Sequence, residues 1–123
     1  MKLPPGTYFI GDPCYVFDND RDTWDRLLTV QGFGDGKVVE FEGHQLWAAS
    51  TKYGDGTYRD QNGAEYGVDS GMLGAVPIEL IESPVGEEDG RMIEAPNGLT
   101  VSEENGTFYL GNTVIETDDF DED

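Results

Sequence analysis

Cations are scarce in this chain. Seven lysines and arginines stand against 26 aspartates and glutamates over 123 residues, a net charge of −19 at pH 7. Affinity for nucleic acid begins with Lys and Arg neutralising phosphates, so direct nucleic-acid binding is excluded. Adsorption to anionic membranes is disfavoured for the same reason. Cysteine and histidine are nearly missing, with one of each, Cys14 and His44. A single cysteine closes no internal disulfide and fits a reducing compartment. One thiol and one imidazole are also a poor zinc set. A Cys–His nucleophile pair would need the thiol partly exposed beside the imidazole. Cys14 lies in the apolar run Cys14–Phe17, and His44 lies between two strand patterns. The expectation is therefore a buried thiol and an exposed turn histidine. Long apolar runs are absent, so no stretch approaches the ~20 residues of a membrane helix. The opening MKLPPGTYFI has neither the apolar region nor the cleavage site of a signal peptide. The expected location is cytoplasmic.

What the chain does hold is glycine, aromatics and aspartate, most densely in Tyr53–Pro77. There, glycines at 54, 56, 63, 67, 71 and 74 interleave with Tyr53, Tyr58 and Tyr66 and with Asp55, Asp60 and Asp69. Such a mixture makes tight turns between short strands, with carboxylates held at the turns.

In chain order, residues 6–10 alternate as a first strand, and Gly11-Asp12-Pro13 forces a turn. Aspartates at 18, 20 and 22 resemble the start of a calcium loop, but Thr23 and Thr29 stand where it needs glycine and glutamate. The better reading is a short helix near residues 22–30, capped by Asp22, with Trp24, Leu27 and Leu28 on one face. Lys37–Glu42 and Gln45–Ser50 form a hairpin around Gly43-His44. Thr57–Arg59 and Glu65–Val68 form another, turned by Asn62-Gly63. Met72–Ile81 is a strand interrupted or edged at Pro77. Residues 83–90 are a loop, and 99–102, 107–110 and 113–116 are a meander turned at Asn105-Gly106 and Gly111-Asn112. Strands recur every 8–12 residues or so, which predicts a mainly β fold: a small antiparallel barrel or sandwich with one short helix. The predicted domain covers 1–117, followed by an acidic flexible tail, 118–123.

The strand and turn residues of Tyr8–Val16, YFIGDPCYV, and of Tyr53–Gly74, YGDGTYRDQNGAEYGVDSGMLG, resemble a signature of small phage and prophage proteins. That pattern is an IGD-x-C-Y-V opening and a YGDG-x-Y…VDSG-x-x-G centre. It covers about the first two thirds of the chain. The resemblance implies a viral or prophage origin, and so the host cytoplasm, but no particular activity.

Three chemical readings follow. Asp69-Ser70-Gly71 has no adjacent histidine, so a seryl hydrolase is not expected, and no Gly-Lys-Ser/Thr makes a phosphate loop. Asp12, Asp55, Asp60 and Asp69 lie at glycine-rich turns, where they would hold calcium or magnesium, serve as acid and base in a hydrolase, or cap backbone amides. The acidic surplus gives the leading expectation. Residues 79–123 carry fourteen acids and one base, a net of −13. This is the pattern of an acidic binding protein that engages a basic protein surface, and a dense acidic face can mimic nucleic acid. Candidate contacts are Glu87, Glu88, Asp89, Glu94, Glu103 and Glu104. A structural or virion-associated module is the remaining alternative.

Overall fold

The computed structural model describes residues 1–17, 21–81 and 89–117. The chain opens with two strands, Lys2–Leu3 (β1) and Gly6–Gly11 (β2), then two helices, Cys14–Phe17 (α1) and Arg21–Leu28 (α2). Two hairpins follow: Asp35–Phe41 (β3) with His44–Ser50 (β4), and Gly56–Arg59 (β5) with Glu65–Val68 (β6). Met72–Pro77 (β7) runs into a 3-10 turn, Ile78–Leu80. Gly90–Ala95 (β8), Leu99–Glu104 (β9), Thr107–Leu110 (β10) and Thr113–Glu116 (β11) complete the described chain. The fold is mainly β, and every strand pair is antiparallel.

Three sheets result: β3-β4-β7-β2-β8, β1-β9-β10-β11, and the hairpin β5-β6. The five-stranded sheet is buried on both faces, and alternation along its strands sorts the side chains. Tyr8, Ile10, Trp47, Ala49, Leu73 and Ala75 point to one core. The four-stranded sheet closes that core with Leu99, Val101, Phe108, Leu110 and Ile115, and the hairpin adds Tyr58 and Tyr66. Trp47 meets Phe108 edge to face at 5.9 Å. Phe9, Val39, Phe41, Leu46 and Val76 point the other way, against Val16, Phe17 and Leu27 of the helices. Each fully buried large side chain contributes roughly 2–3 kcal/mol. The arrangement is a sandwich with a helical layer on its back.

Glycine makes one local packing solution possible. Gly11 pairs with Gly90 on one side and Gly74 on the other. A Cβ at Gly11 or Gly90 would lie 2.8 or 2.7 Å from the Phe9 ring. Their bareness lets that ring lie over the sheet.

The structure differs from the sequence expectation in several places. Two helices form, not one, because Cys14–Phe17 coils directly after Asp12-Pro13. The second helix starts at Arg21, so Asp22 lies inside its first turn and is not its cap. Leu28 is exposed, while Leu27 is fully buried. Strands β1 and β8 form where none was expected. Glu42 and Gly43, both with positive φ, turn the first hairpin, and His44 begins β4. Pro77 ends a central strand, where its missing N–H costs no further ladder bond. The expected tail, 118–123, lies outside the described residues.

Candidate functional site

Asp12 and Asp60 are buried, and each organises a turn. Asp12 follows β2, and Pro13 is the residue just before α1. Asp12 Oδ1 accepts the Cys14 N–H at 2.9 Å, which caps the helix. The other contacts come from the turn between β6 and β7. The backbone N–H groups of Asp69 and Ser70 both donate to Asp12 Oδ2 at 2.7 Å. The Ser70 hydroxyl donates to Oδ1 at 2.6 Å. One carboxylate thus ties together two segments 57 residues apart in sequence. Tyr15 on α1 adds a second tie by donating its hydroxyl to Asp69 Oδ2 at 2.8 Å. Burial, then the hydrogen bond to Asp69 and the charges around it, push the Tyr15 phenol above its ordinary value.

Asp60 serves a local turn. Its Oδ1 accepts the N–H groups of Asn62 at 2.8 Å and Ala64 at 3.0 Å. Its Oδ2 accepts the Tyr66 hydroxyl at 2.8 Å and faces the Arg91 guanidinium at 3.6 Å. Burial opposes the Asp60 charge, but these hydrogen bonds and Arg91 outweigh it and hold the carboxyl below its usual range. Burial and the bond to Asp60 push Tyr66 upward.

The four turn aspartates therefore divide. Asp12 and Asp69 meet at one junction, Asp60 sits in its own hairpin, and Asp55 lies exposed between β4 and β5. No group of three or more His, Cys, Asp or Glu side chains suited to a metal ion occurs among the described residues. The oxygens of Asp12 and Asp60 are engaged by backbone and hydroxyl donors. Backbone capping, one of the uses expected from the sequence, is what their hydrogen bonds show.

Cys14 and His44 lie near opposite ends of β2. Cys14 is half-buried beside Asp12, not fully buried as expected. His44 is also half-buried, in a pocket of about 240 Å³ with Gly6, Tyr8, Pro77 and Glu79. Burial and then the Glu79 charge raise the Tyr8 phenol.

The candidate partner contacts are also dispersed. Glu87 and Glu88 lie outside the described residues. Asp89 is half-buried, with its carbonyl packed against Gly11. Glu94 is exposed on β8, beside a groove of about 510 Å³ that also meets Gln61, Arg91, Asn97 and Asn112. Glu103 spends an oxygen on its own turn, accepting the Gly106 N–H at 2.7 Å. Glu104 is exposed on the neighbouring strand position.

Tyr15, Tyr66 and Arg91, given no site role from the sequence, complete the two carboxylate networks together with Ser70, which was expected only to bond the backbone of its own turn. The Asp-Pro step was a signal for the first of these, since Asp followed by Pro is a helix-start pattern. No family model matches this chain, and no curated protein and no solved structure matches it either.

Proposed function

We propose that this is an acidic binding protein that occupies a basic surface of another protein. In the phage setting that its motifs resemble, the partner is a host DNA- or RNA-binding protein, and the acidic surface stands in for nucleic acid. One observation carries the reading: the exposed carboxylates far outnumber the cations available to neutralise them. Arg26, Arg59 and Arg91 are each already paired, with Glu42, Glu65 and Asp60. Exposed acids such as Asp25, Asp35, Glu40, Glu94, Glu104 and Glu116 have no ion pair among the described residues. Like charge at this density opposes folding through self-repulsion, and a cationic partner relieves that cost. Complementary charge also speeds encounter and makes it sensitive to salt.

The test is capture from a bacterial lysate on the immobilised protein, followed by elution with duplex DNA. The expected result is a basic nucleic-acid-binding protein that is retained at about 50 mM salt, lost by about 200 mM, and displaced by DNA. Retention of no basic protein, or retention indifferent to salt and DNA, contradicts the reading.

A further inference from the structure

On the outer face of the four-stranded sheet, Ser102, Glu104, Tyr109 and Glu116 are exposed, and Thr107 and Val114 are half-buried. Leu99, Val101, Phe108, Leu110 and Ile115 point inward, so the alternate positions point out. Strand register fixes what that face presents. Tyr109 stands opposite Ser102 on one side and Val114 on the other. In the next row, Thr107 stands between Glu104 and Glu116. Both glutamates are exposed, and Tyr109, at 42% exposure, is among the most exposed aromatics of the described chain. Strands lie about 4.8 Å apart, so the two glutamate backbones are about 10 Å apart, with the tyrosine about 7 Å further along the central strand. Lys2 belongs to the same face, two rows from the glutamates, and its side chain lies against the Gly98 turn.

We propose that this face is where the partner docks, and that it receives an arginine-bearing segment of that partner. The inference rests on the acidic-binder reading and gives it a location. The chemistry of the three side chains fits a guanidinium. A planar cation stacks on an aromatic face while its N–H groups reach a carboxylate, and arginine does both better than lysine. Two carboxylates beside one accessible ring on a rigid sheet offer both contacts at once. An exposed tyrosine keeps few rotamers to lose, and tyrosine and arginine are enriched at the centres of interfaces.

The test is a titration of the 15N-labelled protein with a hexa-arginine peptide at low salt, read by amide shifts and by Kd. The largest shifts are expected at Ser102, Glu104, Thr107, Tyr109, Val114 and Glu116. Tyr109→Ala should weaken binding about two- to five-fold, the worth of one exposed cation–π contact. Tyr109→Phe should not weaken it. Glu104→Gln with Glu116→Gln should weaken binding more than Asp22→Asn with Asp25→Asn, which removes equal charge from α2. Thermal melts check that each variant folds, and the shift map decides on the unmodified chain if one does not. Shifts centred on α2 or on β3, or a Tyr109→Ala affinity equal to wild type, overturn the docking face but leave the acidic-binder reading standing. Absence of saturable binding at low salt overturns both.

Discussion

The two buried aspartates solve the same problem in different ways. Asp12 has no cation beside it among the described residues, and its donors are three backbone N–H groups and one hydroxyl. Asp60 has fewer backbone donors but a tyrosine hydroxyl and an arginine. The partners of Asp60 on its own hairpin lie two to six residues away, whereas three of the four Asp12 donors are distant in sequence. Asp60 therefore shapes a hairpin that strand pairing already favours. Asp12 holds β2 and α1 to the β6–β7 turn, a closure that costs chain entropy. Both uses are internal, so Asp12 and Asp60, two of the four turn aspartates singled out in the sequence, are occupied with the fold. The proposed binding therefore rests on the carboxylates of the surface.

Substitution should separate the two most sharply. At Asp12, an asparagine turns an NH2 group toward at least one N–H donor in either orientation. Asp12→Asn should cost on the order of 3 kcal/mol, since each buried donor left unpaired costs about 1–3 kcal/mol. Urea unfolding followed by circular dichroism measures it. At Asp60, an asparagine keeps Oδ1 for Asn62 and Ala64 and can offer its NH2 to the Tyr66 oxygen. Asp60→Asn should cost about 1–2 kcal/mol, because the Arg91 pair it also loses is half exposed and worth little. Equal costs at the two positions would remove the distinction.

Titration sharpens it further. The Asp60 carboxyl is depressed, so the stability it contributes is complete above about pH 4 and is lost as pH falls through its folded value. Tyr8, Tyr15 and Tyr66 are raised, so their contribution is complete below about pH 10 and is lost as pH rises beyond it. Phenolate absorbance against pH should show three tyrosines ionising late. Asp60→Asn should shift the ionisation of Tyr66 to lower pH and leave that of Tyr15 unchanged. Smaller still, Tyr15→Phe removes one hydrogen bond to Asp69 and should cost about 1 kcal/mol in the same urea assay. If it costs as much as Asp12→Asn, the junction depends on the tyrosine and not on the buried carboxylate.

Much of the fold was legible in the sequence. The runs expected at 6–10, 45–50, 107–110 and 113–116 are strands, that at 37–42 is strand up to Phe41, and Asn105-Gly106 turns a hairpin with positive φ at both residues. β8 was hidden because GRMIEA alternates weakly and is half exposed at an edge, where periodicity fades. α1 was hidden because four residues are too few to show a 3.6-residue period. Barrel and sandwich share the same local signals, and only pairing of distant strands such as β2 with β8 separates them. The same limit applies to the candidate site. The glycine-rich turns and their aspartates could be read, but not that Asp12 would meet Ser70 across 58 positions. Nor does any local pattern place Glu104 and Glu116 on either side of Thr107.

Native-state hydrogen exchange at the Asp69 and Ser70 amides is the most direct measurement. Both residues are exposed on a turn, yet both N–H groups are bound to a buried oxygen. They should exchange as slowly as the amides of the central strand β2, and Asp12→Asn should release them selectively. Exchange at the rate of a free turn in the unmodified protein would contradict the junction and return these aspartates to the list of available ligands.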